Sequence, residues 1–149
     1  YDPGEFEGLF SLADFGIVQC PFNLMDRRLV DSGWLQKLKL KSVEVHTRSS
    51  FLQGLLLMER DDIPKEFEIW QFYWDIWDNW VKDHDISRLS ACLAYVLSCE
   101  GVDRIVVGVD KKSQLEQIVT VAQSAQVELF PDISCIDSEL INPANWNML

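Results

Sequence analysis

The stretch Val43-Glu44-Val45-His46-Thr47-Arg48-Ser49-Ser50-Phe51-Leu52-Gln53-Gly54-Leu55 decides how the rest of the chain is read. Residues 43–47 alternate Val, Glu, Val, His, Thr, the two-residue period of a strand with one buried face. An arginine, two serines and a glycine follow at the strand's C-terminal edge, a composition that suits an anionic ligand. Arg48 can pair or stack, and Gly54 lets backbone amides approach a phosphate closely. A second stretch, Gly108-Val109-Asp110-Lys111-Lys112-Ser113, repeats the plan after a strand predicted over 104–109. The helix that starts there offers free amides and a positive dipole end, and Lys111 and Lys112 add charge. Each stretch also reads as an ordinary turn with solvated polar residues.

Outward from these two loops, α and β patterns alternate. Asp2 can cap a first helix, with Pro3 at its opening position and Glu5 at its third. Phe6, Leu9, Phe10 and Ala13 form its apolar face. Residues 17–22 are a short apolar run after Gly16, read as a buried strand. Residues 33–40 form a short helix with Trp34, Leu35 and Leu38 inward. After a loop over 49–62, Pro64 opens a long helix to residue 82. Its Phe67, Trp70, Trp74, Trp77 and Val81 fall at helical spacing, read as core. Residues 87–98 form another amphipathic helix, carrying Leu89, Cys92, Leu93, Val96 and Leu97 on one face and stopping at Gly101. Residues 113–125 form a last amphipathic helix with Leu115, Ile118, Val119 and Ala122 inward. The tail from 128 to 149 is irregular, with a short helix near 137–141.

Alternating strands and helices imply a parallel sheet with covering helices. Only about three strands are present, and a closed eight-stranded barrel needs roughly 250 residues. The expected fold is therefore α/β, part of a barrel or of an open sheet, in one unit over residues 1–149 with no dividing linker. If the chain is the back end of a barrel, its last two strands are the seventh and eighth, whose loops often bind phosphate.

With 48% apolar residues, the 149-residue chain can bury a real core. Its net charge of −11 repels phosphate backbones and anionic membranes, so neither nucleic acid nor lipid is an expected partner. No run approaches the roughly 20 apolar residues of a membrane span. No secretion signal opens the chain, and the missing initiator Met suggests a fragment or a processed product. Cys20, Cys92, Cys99 and Cys135 match no zinc spacing, and no metal site is expected. They read as reduced thiols of a cytoplasmic protein, Cys92 and Cys99 sharing a helix face, with a disulfide as the alternative. The sequence lacks GxGxxG, GxxxxGK[ST], GxSxG and HExxH motifs. His46 reads as structural and His84, among Lys82, Asp83 and Asp85, as solvated.

The ordered motifs resemble the C-terminal half of the aldo-keto reductases, which are NADPH-dependent (β/α)8 barrels. Tyr1-Asp2-Pro3-Gly4-Glu5-Phe6 resembles the segment just after that family's fifth strand. Val18-Gln19-Cys20-Pro21-Phe22-Asn23, with Arg27-Arg28, resembles the sixth strand and its loop. Arg48 to Leu56 resembles the exit of the seventh. Ile105-Val106-Val107-Gly108 with Gln114-Leu115 resembles the eighth strand and the helix after it. Ile141-Asn142-Pro143 and Trp146 resemble a common ending. The resemblance implies a partial TIM barrel whose three parallel strands are equivalent to strands six to eight, with the N-terminal half absent.

It also implies a cofactor site. Gln19 would bond the nicotinamide carboxamide, and Arg48 stands where many members have a stacking Tyr. Ser49, Phe51 and Gln53 would line the diphosphate, with Gly54 allowing close approach. Gly108 belongs to the eighth strand's exit, and Asp110, Lys111 and Gln114 would lie near the adenosine end. The cofactor implied is NADPH, but Asp110 would repel a 2′-phosphate, leaving NADH possible. Where the family often has Glu-Asn, this chain has Gln117-Ile118. The family's catalytic Asp, Tyr, Lys and His all fall upstream of Tyr1, and Tyr73 and Tyr95 read as core. The implied role is thus the cofactor-binding part of an NAD(P)H-dependent oxidoreductase acting on a small carbonyl substrate, inactive as this chain alone. One alternative is a non-catalytic half-barrel that serves as an oligomerisation or interaction module. Another is an unrelated phosphate-ligand-binding α/β domain. Open sheet edges favour a homo-oligomer.

Overall fold

The computed structural model describes residues 4–124 and 127–148. The proposed cap at Asp2 and Pro3, and the end of the last predicted long helix at Ala125, lie outside the described residues. Three parallel strands, β1 (Ile17–Pro21), β2 (Glu44–Arg48) and β3 (Arg104–Ile105), form one sheet in the order β1-β2-β3. Gln19 stands opposite His46, and His46 opposite Arg104. Helices α1 (Glu5–Leu12), α2 (Arg28–Asp31), α3 (Trp34–Leu40), α4 (Gln71–Asp83), α5 (Arg88–Leu97), α6 (Lys112–Ser124) and α7 (Ser138–Ile141) complete the chain. The alternation read from the sequence is present, and with it the partial α/β barrel.

Two cores flank the strand ends. One packs Cys20, Val45 and Val43 against Trp34, Leu35, Leu38 and Val96, joining one sheet face to α3 and α5. Phe6 and Phe10 lean on Trp34 from α1, at ring separations of 5.3 and 6.0 Å. The other core lies beyond the strand ends. It gathers Leu52, Leu55 and Leu56 with Phe67, Trp70, Trp74 and Trp77 and with Ile133, Leu140 and Ile141 of the tail. The aromatic stripe is core, and its indole N–H groups are satisfied internally. Trp77 donates to the Leu56 carbonyl at 3.1 Å and Trp70 to the Asp137 carboxylate at 2.9 Å.

Several expectations are corrected. The helix expected from Pro64 is a 3₁₀ turn, Lys65–Trp70, followed by α4. The Phe67 carbonyl, which a continuous α-helix would bond to the Gln71 amide, instead accepts the Trp74 indole, and Gln71 bonds back only to Glu68. The loop over 49–62 also holds two 3₁₀ turns. β1 is not a buried strand: it is an edge with a neighbour on one side, and Ile17 is 56% exposed. β3 stops at Ile105 rather than Val109, because β2 turns away at Ser49 (φ 62°) and leaves the later residues no ladder partner. Leu115 and Val119 of α6 are 45% and 48% exposed rather than inward. Leu97 of α5 and Leu9 of α1 are also exposed. Cys99 lies past the end of α5, so it shares no helix face with Cys92.

Four cysteines are free. His46 bonds Glu44 at 2.9 Å on the sheet face away from the helices, and exposed His84 stacks on Trp80. Among the described residues, no helix is long and apolar enough to cross a membrane. Nor do three His, Cys, Asp or Glu side chains gather there as a metal would need.

Candidate functional site

The site grows from the turn after β2. Ser49, Leu52 and Gln53 take positive φ of 62°, 47° and 54°, and Gly54 follows at 94°. Three non-glycine residues in the left-handed region within five positions are costly locally, so surrounding contacts must hold them. Leu52, Leu55 and Leu56 supply this by burying themselves in the strand-end core. Asn23, fully buried, supplies it from the next loop. Its amide donates to the Ser49 carbonyl at 3.0 Å, and its Oδ1 accepts from the Met25 and Asp26 amides, both at 2.9 Å. With its apolar residues rooted, the turn presents its polar ones to a cavity.

That cavity has a volume of about 700 Å³, within the range of small-molecule sites. Gln19 lines it from the middle of β1 and Arg48 from the end of β2. Ser49, Phe51, Gln53 and Gly54 line it from the β2 turn, and Gly108, Asp110 and Gln114 from the segment after β3. The structure therefore brings these residues together, from three chain segments. Lys111 does not line it: it lies outside the cavity.

Two observations bear on whether a dinucleotide fits. A Cβ placed on Gly54 or Gly108 would meet nothing within 4 Å, so backbone is open to close approach there. Ser50, 2% exposed, sits at the cavity wall with its hydroxyl buried and without a hydrogen-bond partner. Open backbone at Gly54 and Gly108 and the unpartnered Ser50 hydroxyl fit a ligand that brings hydrogen-bonding groups close to the chain.

The electrostatics are sparse. Arg48 and Asp110 are the only charged residues lining the cavity among those described. Arg48 donates to Ser49 Oγ at 3.2 Å. Two amides just ahead of α6 are engaged. Gln114 Oε1 accepts from the Asp110 amide at 2.8 Å and from the Lys111 amide at 3.1 Å, the glutamine half of a capping box. Cys20 is near, but burial pushes its thiol up to about 11, which keeps it protonated and unreactive at neutral pH. Tyr95, pushed up to about 12 by burial, stacks on Phe22 in the core.

Sequence reasoning missed Leu57, Leu89 and Gln117, which also line the cavity, and gave Ser50 only a place among the motif's hydroxyls. Leu89 comes from the face of α5 read only as core. Asn23 was quoted in a motif without a role; an Asn directly after a strand was the available signal for a loop-holding residue.

The model of the Aldo/keto reductase family matches residues 10–129. Among solved structures, aldo-keto reductase AKR11C1 from Bacillus halodurans, in its holo form, superposes with a TM-score of 0.61 at 14% identity, covering 85% of this chain and 43% of that one. Its apo form gives 0.62 at 15% identity over 85% and 44%. A thermostable aldo-keto reductase, Tm1743, in complex with the inhibitor epalrestat gives 0.57 at 16% identity over 87% and 42%. The chain thus spans less than half the length of these structures, and the likeness is one of fold. No curated protein matches it.

Proposed function

The chain belongs to the Aldo/keto reductase family, whose members use nicotinamide cofactors, and on that premise we propose that it forms the dinucleotide-binding part of a carbonyl-reducing oxidoreductase. The observation that carries the reading is the convergence on one cavity of Gln19 from β1, Arg48 and Gln53 from the end of β2 and the turn after it, and Asp110 from the segment after β3. The bound cofactor would supply hydride for a small carbonyl substrate. The residues of this chain bind and orient it. Gln19 holds the nicotinamide end, Arg48 covers it, and Ser49, Phe51, Gln53 and Gly54 receive the diphosphate. No proton donor for a carbonyl stands at the cavity among the described residues, since Tyr73 and Tyr95 pack with the cores. The chain on its own is therefore proposed to bind without reducing. Its four free cysteines support a reducing, cytoplasmic setting.

Fluorescence titration tests this reading. Reduced dinucleotide, NADH or NADPH, should quench tryptophan emission saturably in the intact chain, and Arg48→Ala should weaken binding. Absence of saturable binding by either dinucleotide would sink it.

A second reading, an assembly module, is favoured by one observation. Leu9 and Ile17 are exposed beside one sheet edge, and Val106, Val109, Leu115 and Val119 at or beyond the other. Exposed apolar surface costs about 25 cal/mol per Å², so pairing of these edges with a second copy would be stabilising. Sedimentation should then give a dimer or larger; a stable monomer with a cooperative melt would exclude it.

A further inference from the structure

We propose that copies of this chain associate head to tail, the basic end of α3 in one copy docking on the acidic turn that leads into α4 in the next. This contact uses neither the dinucleotide cavity nor the sheet edges.

Residues 34–41 hold Lys37, Lys39 and Lys41 and no carboxylate, in a chain whose net charge is −11. Trp34, Leu35 and Leu38 of α3 turn inward, and Leu40 stands 81% exposed. Lys39 pairs with Asp103 at 2.9 Å. Lys37 and Lys41 pair with no carboxylate among the described residues. Their ammonium groups lie instead over rings, 4.6 Å from the centre of Trp34 and 5.7 Å from that of Phe10. The rings hold both charges in place beside Leu40.

The turn Lys65–Trp70 and the start of α4 carry the opposite pattern. Phe67, Trp70 and Trp74 face the core there, which leaves Ile69 71% and Phe72 68% exposed. Phe72 is the most exposed aromatic ring among the described residues. Glu66 and Glu68 flank the pair, with Lys65 the one cation of that turn. The Trp70 indole bond sets Asp137 beside the same turn, and Glu139 follows it. A lone exposed Leu or Phe is ordinary. Here an apolar anchor with an ammonium rim and another with a carboxylate rim are complementary in sign, the property that selects a partner and its orientation. Within one molecule the faces belong to different cores, α3 to that of the sheet and the turn to that beyond the strand ends, so a second copy is the occupant. Because the two patches differ, the contact is heterologous, and it repeats from copy to copy until a ring closes.

Sedimentation velocity over a concentration series tests the contact in the intact chain, in Leu40→Ser, in Phe72→Ser, and in an equimolar mixture of the two variants. Both side chains are exposed, so circular dichroism melts should match wild type. Wild type should gain mass with concentration. Each variant keeps only one of the two faces and should self-associate about tenfold or more weakly. The mixture should recover a heterodimer, because the Leu40 face of one variant meets the Phe72 face of the other. Charge reversal gives a second readout. Lys37→Glu with Lys41→Glu, and separately Glu66→Lys with Glu68→Lys, should each weaken association, and mixing the two should restore it. A wild type that stays monomeric throughout, or a mixture of variants no heavier than its components, would overturn the inference. Association unmoved by either apolar substitution would also overturn it, while leaving edge pairing in place.

Discussion

The side-chain amide of Asn23 donates to the backbone carbonyl of Ser49 across 3.0 Å, tying the turn after β2 to the loop after β1. The bond fastens a left-handed residue, Ser49 at φ 62°, to a fully buried side chain. The cavity wall thus depends on a residue outside its lining.

Asn23→Ala removes that bond and the two that Asn23 Oδ1 accepts from Met25 and Asp26. Leaving buried backbone groups unpaired should cost about 1–3 kcal/mol. Urea denaturation should show the loss, and dinucleotide affinity should fall with it because Ser49 is released. An unchanged denaturation midpoint would mean that the loop holds without Asn23.

Gln114 caps α6 with a neutral oxygen. Gln114→Glu keeps an acceptor there and adds negative charge in the first turn, where the helix dipole favours it. The melting temperature should rise by about 1–4 °C. The same variant should bind dinucleotide more weakly, since it lines the cavity with a second carboxylate. Circular dichroism melts and the fluorescence titration read the two effects separately.

Asp103 is held below the usual carboxylate range, first by the Val45 amide at 2.7 Å and then by the Lys39 ammonium at 2.9 Å. A carboxylate whose folded pKa is depressed contributes stability above its unfolded pKa of about 3.9 and loses it as pH falls through the folded value. Stability should therefore drop on acidification below about pH 4, and less steeply in Asp103→Asn. Chemical denaturation at pH 7 and in steps below pH 4 checks the sign.

Burial raises the thiols of Cys20, Cys92 and Cys99, Cys20 to about 11. Cys99 alone of these three is only half-buried. Under native conditions at pH 8, iodoacetamide should modify Cys99 before Cys20 or Cys92. Peptide mass spectrometry gives the order, and early labelling of Cys92 would indicate that α5 opens.

The parts legible in the sequence were those with a period. Val43 to Thr47 alternates and forms β2; Trp34, Leu35 and Leu38 recur at helical spacing and are buried. The residues that the resemblance assigns to a cofactor line one cavity, Lys111 excepted. What was not legible depends on partners distant in sequence. The exposure of Ile17 follows from its place on an edge, and the early end of β3 from a turn in β2. Side-chain bonds account for other misses. The Trp74 indole takes the carbonyl of Phe67 where periodicity draws a continuous helix, and Gln114 occupies the Asp110 and Lys111 amides just ahead of α6. The tail has no period at all, yet Ile133, Leu140 and Ile141 are fully buried.

The tail's anchorage has a consequence for synthesis. Arg27 donates to the Pro131 carbonyl across 104 positions of sequence, and the Cys135 amide closes a comparable span onto Met25. Contacts of such separation carry the largest loop-closure entropy and form slowly. As the chain leaves the ribosome, the strands and the helices packed on them have their partners early. The aromatic layer around Trp70 and Trp74 does not, and it stays open until residues 131–141 emerge to seal it. During that interval the nascent chain presents the unsealed aromatic layer, which makes this a stage at which chaperone engagement would matter.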